Sequence, residues 1–272
     1  MNPIDDFLTT LASPRTVERY RTALEEFATW YRQANGSEPE WNLLTAVEVR
    51  DYTAYLQSVR HLSPASVNLR LAAIRSLLRY LGRSLRVKGP KQVTPPVKAL
   101  SARELGRLFA AAEGSRRDTA ILNLLARAGL RVGEVVRLRV EDVEMNGRSG
   151  WVTVNSGKGN KTRRVPLNGE VRQALKAWLD ERPKVEDATL FLSRSGRSLA
   201  ERDVQRMVAE YARTAGVDAT PHTLRHTFAT RAIEKGVDIA TLQALLGHSR
   251  LETTGRYLHP TAERMQDAVE DL

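Results

Sequence analysis

Residues 220–230 read Thr-Pro-His-Thr-Leu-Arg-His-Thr-Phe-Ala-Thr. A threonine followed by proline is a helix start. The hydroxyl can accept from an amide of the first turn, and proline, lacking an N–H, fits the first helical position. That places His222 in the opening turn, and the three-residue step to Arg225 puts both on one helix face. Free amides and the macrodipole at such an end favour an anion, so a histidine and an arginine there suit a phosphate. A structural reading serves the same residues, with His222 capping the helix and Arg225 in a surface ion pair. So does a metal reading: His222 and His226 are spaced i, i+4 as on a zinc-binding helix, with His248 as a third donor. Against zinc, position 223 is Thr where a metalloprotease helix carries a general-base Glu. Phe228 and Ala229 continue the segment as buried helix, which gives His226 an internal packing role.

Three further segments carry chemistry. Ala128-Gly-Leu-Arg131-Val-Gly-Glu134 puts an arginine just after a helix end, with an acid three residues later. Such an acid can fix the guanidinium's orientation, and an oriented guanidinium can bind two phosphate oxygens at once. Downstream, Leu245-Leu-Gly-His248 is followed by Thr253-Thr-Gly-Arg-Tyr257, with Gly247 and Gly255 allowing turns. Between these segments, Trp151–Val154 and Thr162–Val165 alternate like strands around a glycine-rich turn, Asn155-Ser-Gly-Lys158-Gly-Asn-Lys161.

Working outward, the period returns to helical. Ser101-Ala-Arg-Glu104 is a capping box before Leu105, Leu108 and Phe109. Further helices are predicted near 117–128, 170–182, 200–215, 221–235 and 238–246. Toward the N-terminus, Lys88-Gly-Pro-Lys91 and Pro95-Pro96 cannot continue a helix, and residues 84–99 hold few core residues. Such a segment could span roughly 30–40 Å if extended. Before it, Ser13-Pro14 and Ser63-Pro64 start two helices and Thr45 to about Val59 forms another. Arg70, Arg75, Arg79, Arg83 and Arg86 stud the third helix and its exit, a pattern that also fits a solvated face.

The chain has 272 residues, 42% of them hydrophobic, enough for two domains with real cores. Its formal net charge is +10, with 12 Lys/Arg against 9 Asp/Glu in residues 1–88 and 30 against 23 in residues 89–272. Both parts are basic, which favours a polyanionic partner through counterion release. The absence of cysteine excludes disulfides, thiolate metal sites and a cysteine nucleophile. No apolar run approaches membrane-span length, so an intracellular, cytoplasmic protein is expected.

In order and spacing, the segments around Arg131 and Glu134, Lys158, His222 and Arg225, His248 and Tyr257 resemble the motifs of the tyrosine recombinase (phage integrase) family, and are most similar to its Xer-type members. The resemblance is strong from about residue 100 to 260. The N-terminal helices match only in type, resembling the family's core-binding domain. Leu258 and Arg250 depart from the residues usual in close relatives.

The resemblance implies a mainly α, two-domain DNA clamp. A helical, SAM-like core-binding domain would cover 1–87 and a linker 88–99. A mostly helical catalytic domain with a small antiparallel sheet would cover 100–272. It implies that Tyr257 is the nucleophile, that Arg131 and Arg225 clamp the phosphate, and that Lys158 (less suitably Lys161) protonates the leaving oxygen. His222 would serve as acid/base helper, His248 as a phosphate donor and Glu134 as the orienter of Arg131. It further implies no metal or other cofactor, double-stranded DNA with paired sites as partner, a tetramer on that DNA, and a terminal helix at 261–272 that docks on a neighbouring subunit. A heteromeric recombinase partner stays open. The start close to the core-binding helices leaves little room for a separate arm-binding domain. A type IB topoisomerase and a non-catalytic DNA-binding relative are the alternatives.

Overall fold

The computed structural model describes residues 3–92, 98–156, 161–186, 188–193 and 195–247. The chain divides into two compact units, Met1–Pro95 and Pro96–Leu272.

The first unit is all helical: α1 (Pro3–Thr9), α2 (Pro14–Asn35), α3 (Ala46–Ser58) and α4 (Pro64–Tyr80). Three of these starts follow the capping chemistry of the sequence. Pro14 and Pro64 occupy first-turn positions after Ser13 and Ser63. At Thr45 the Glu48 carboxylate accepts from the backbone amide at 2.6 Å and from the hydroxyl at 2.7 Å. The short α1 is an addition to the sequence reading. Its signal is Pro3 followed by Ile4, Phe7 and Leu8 at helical spacing, all three buried. The core of this unit gathers Leu24 and Phe27 of α2, Tyr52 and Leu56 of α3, and Leu71, Ile74 and Leu78 of α4. Phe27 and Tyr52 meet edge-on with ring centroids 5.0 Å apart.

The arginines on α4 and its exit do not form a uniformly solvated face. Arg70 Nε bonds Glu26 at 2.6 Å, Arg75 bonds the carbonyl of Val87, and Arg83 bonds the carbonyl of Trp41 at 2.9 Å. Arg79 and Arg86 are exposed. Val87 is buried in the first unit's core, and Asn68 donates to the Pro90 carbonyl at 3.1 Å. The segment leaving α4 is therefore packed on its own unit through Pro90.

The second unit runs α5 (Ala102–Ala111), α6 (Arg116–Ala126), a one-turn α7 (Val132–Val135), a 3-10 turn at Val140–Asp142, then strands β1 (Val143–Asn146), β2 (Ser149–Ser156) and β3 (Lys161–Pro166). Helices α8 (Gly169–Glu181), α9 (Glu201–Ala215), α10 (Pro221–Glu234) and α11 (Ile239–Leu246) follow. The sheet is antiparallel in the order β1-β2-β3, with Val152 opposite Val165 and Val154 opposite Arg163. Val152, Val154 and Val165 face the core. On the opposite face, Trp151 stays partly exposed under the Arg164 guanidinium, 5.2 Å away. Strand β1 also goes beyond the sequence reading, and the Asn146-Gly147 pair at its end is a hairpin signal. Around the sheet, α6 supplies Ile121, Leu122, Leu124 and Leu125, all inaccessible to solvent. Among the described residues no helix is long and apolar enough to cross a membrane.

Candidate active site

Helix α10 begins as its sequence dictates: Thr220 Oγ1 accepts from the Thr223 amide at 3.1 Å and Pro221 occupies the first turn. Its buried Thr227 hydroxyl donates to the Thr223 carbonyl at 2.8 Å and accepts from the Leu100 amide at 2.9 Å. The helix is thus fixed against the entry to its own unit. His222 lies exposed in the opening turn, whereas Arg225 is buried, with its side chain 5% exposed. Arg225 therefore makes no surface ion pair. One Nη donates to the Gly129 carbonyl at 2.5 Å and the other to the Leu246 carbonyl at 2.7 Å.

Arg131 is the residue before α7. Its amide donates to Glu134 Oε2 at 2.8 Å and its Nη1 to Glu134 Oε1 at 2.9 Å, so one carboxylate holds both ends of the residue. The side chain remains 43% exposed. Burial by itself would raise the pKa of Glu134. Hydrogen bonds from Arg163 and from the Arg131 amide, with the charges of both guanidiniums, override it and hold that carboxyl at about 2.

Arg163, on β3, is the site residue that sequence reasoning missed. Its two terminal nitrogens donate to the two oxygens of Glu134, each at 2.8 Å, and its Nε donates to the Leu245 carbonyl at 2.9 Å. The available signal was period-2 alternation: beside the inward Val165, Arg163 shares the buried parity of β3, an unusual place for a lone charge. Arg225 Nη1 lies 3.9 Å from Glu134 Oε2. One buried carboxylate thus gathers three guanidiniums, leaving excess positive charge where Arg131 reaches solvent.

Arg131, Glu134, His222 and Arg225 are all placed within this one unit, and Arg131, Glu134 and Arg225 converge. Lys158, His248 and Tyr257 lie outside the described residues, as do Arg250, Leu258 and the segment 261–272. Lys161 begins β3. Among the described residues no group of three or more His, Asp or Glu is placed to hold a metal ion.

Residues 98–264 match the Phage integrase family, and residues 4–84 match the Phage integrase N-terminal SAM-like domain. Among curated proteins, the chain is 36% identical to the tyrosine recombinase XerA of Thermococcus kodakarensis over 91% of this chain and 94% of that one. It is 33% identical to the tyrosine recombinase XerC of Alcanivorax borkumensis over 95% and 89%. Among solved structures, XerH bound to its difH substrate before cleavage shares the fold, with a TM-score of 0.77 over 93% of this chain and 78% of that one at 22% identity. The fold and the relatives define a class of enzymes that cut and rejoin DNA strands, the site-specific tyrosine recombinases. The chain belongs to the Phage integrase family.

Proposed function

We propose that this recombinase cleaves double-stranded DNA through a 3′-phosphotyrosyl link to Tyr257, at paired sites brought together by a tetramer. The observation that carries this reading is the convergence of Arg131 and Arg225 on Glu134, because it holds the half-exposed Arg131 guanidinium in a fixed orientation with the charge of the buried Arg225 behind it. The Tyr257 oxygen attacks the scissile phosphorus, and the 5′ oxygen leaves with a proton from Lys158. His222 assists proton transfer at the tyrosine, and His248 donates to a non-bridging oxygen. The transition state gathers charge on the non-bridging oxygens, where Arg131 and Arg225 supply the stabilisation that a metal supplies in many nucleases. One phosphodiester replaces another of similar energy, so no nucleotide is consumed, and the covalent intermediate divides one difficult step into two reversible ones. The basic balance of both parts of the chain suits a DNA partner. A DNA-directed cytoplasmic protein associated with the nucleoid is the setting this chemistry fits.

The test is a nicked suicide substrate carrying a verified binding site, incubated with the protein in EDTA. A covalent adduct is expected, and Tyr257→Phe should abolish it. A bound but uncut substrate would overturn the reading. Strand exchange between two sites, as against simple relaxation of supercoils, then separates recombination from topoisomerase chemistry.

A further inference from the structure

The last three carbonyls of the stretch that ends α11 each accept a hydrogen bond from a different arginine. Arg163 Nε takes Leu245, Arg225 Nη2 takes Leu246, and Arg131 Nη2 takes Gly247, at 2.9, 2.7 and 3.3 Å. Carbonyls at a helix C-terminus have no partner within the helix and form its negative pole, so cations there are favoured. Gly247 closes the helix in the left-handed region with φ +63°, and a Cβ at that position would fall 2.8 Å from Arg163 Nη1. The fit between Arg163 and the helix end is therefore close. His248 is the next residue in the chain.

The three arginines are not equivalent. Arg131 is the exposed one and makes the longest of the three bonds, so an arriving phosphate competes with Gly247 for it. Arg225 spends one nitrogen on Gly129. Arg163, 14% exposed, is bound on every nitrogen: two to Glu134 and one to α11. We propose that Arg163 is a positioning residue for cleavage. It locks the Glu134 carboxylate that aims Arg131, and it keeps the end of α11 in place when the phosphate draws Arg131 away. It acts through these partners and touches neither the phosphate nor the nucleophile. The inference rests on the recombinase reading above.

A lysine at this position carries the charge but has one nitrogen and no fork, so it cannot span both Glu134 oxygens and the Leu245 carbonyl. Arg163→Lys should therefore slow single-turnover adduct formation on a suicide substrate by about 10²-fold, the scale of a misplaced catalytic group. DNA affinity should stay close to the parent's, the thermal midpoint should fall by the cost of the buried hydrogen bonds that lysine leaves unmade, and the rate per folded molecule should drop as well. A merely structural role predicts the midpoint falling alone, with the rate per folded molecule kept. In an Arg131→Ala background the same substitution should add less than about 3-fold, because residues acting as one unit are not additive. Wild-type cleavage by Arg163→Lys, or an undiminished loss in the Arg131→Ala background, would overturn the proposal. Should Arg163→Lys fail to fold, the double variant Arg163→Met/Glu134→Gln removes the buried charge pair together. That variant should fold and still cleave slowly, and full activity in it would equally sink the idea. Failure of the recombinase reading is visible separately, as a Tyr257→Phe protein that still forms adduct.

Discussion

The ring of Phe228 fills the space that a side chain on Gly129 would need, with Cδ1 2.3 Å from the position of a Cβ. Gly129 also adopts φ +68°, which L side chains rarely accept, and its carbonyl receives the Arg225 guanidinium. Three requirements of the site therefore meet at one residue between α6 and Arg131.

Gly129→Ala should destabilise the second unit by roughly 2–5 kcal/mol, the sum of left-handed strain and overpacking. Urea unfolding should show a lowered midpoint. The variant should also lose cleavage beyond its loss of folded protein, because the Gly129 carbonyl sets Arg225. A midpoint equal to the parent's would contradict both contacts.

Glu134 makes a defined contribution to acid stability. Its carboxyl is held at about 2, below the ordinary value of 4.5, so its stabilisation is complete above pH 4.5 and is lost as the pH falls toward 2. The displacement corresponds to about 3 kcal/mol. Glu134→Gln should be less stable at neutral pH and should show a shallower decline of urea midpoint between pH 4.5 and 2. Parallel curves for the two proteins would count against the buried ionised state.

Arg225 is tested by replacing it with lysine. One ammonium cannot satisfy both the Gly129 and Leu246 carbonyls, and a buried carbonyl left unpaired costs about 1–3 kcal/mol. Covalent adduct formation should drop by roughly 10²–10³-fold, the range for a lost transition-state donor. DNA binding, measured by mobility shift, should fall far less. Retention of the parent's cleavage rate would argue that Arg225 is only a structural tie.

Removing residues 261–272 separates assembly from binding. On the sequence reading, Met265, Val269 and Leu272 share one helix face, suited to a neighbouring subunit. The truncated protein should bind a single site with nearly unchanged affinity and recombine two sites poorly. Equal recombination by the truncated and full chains would remove the case for docking in trans.

Features that depend on neighbours along the chain are legible in the sequence itself. Ser13-Pro14, Thr45, Ser63-Pro64, Ser101 and Thr220-Pro221 all start helices for local reasons: a side-chain cap at Ser63, Ser101 and Thr220, a proline in the first turn after Ser13, and the Glu48 carboxylate three residues beyond Thr45. The alternation at Val152 and Val154 marks a strand for the same local reason. Strand β1 and helix α1 are harder to read because four and seven residues give too short a period to stand out.

Pairings across the chain are not legible in this way. The sequence determined that Arg131 and Glu134 stand three apart, and that His222 and Arg225 share the first turns of one helix. Only the tertiary structure decided that Arg225 is buried against Gly129, 96 residues away, and that Arg163 reaches Glu134 across 29 residues and Leu245 across 82. The physical reason is desolvation. A guanidinium loses its water on burial and must recover hydrogen bonds from whatever carbonyls and carboxylates the packed elements bring to it. Those partners are chosen by how β3, α7, α10 and α11 pack together, which no single stretch of sequence encodes.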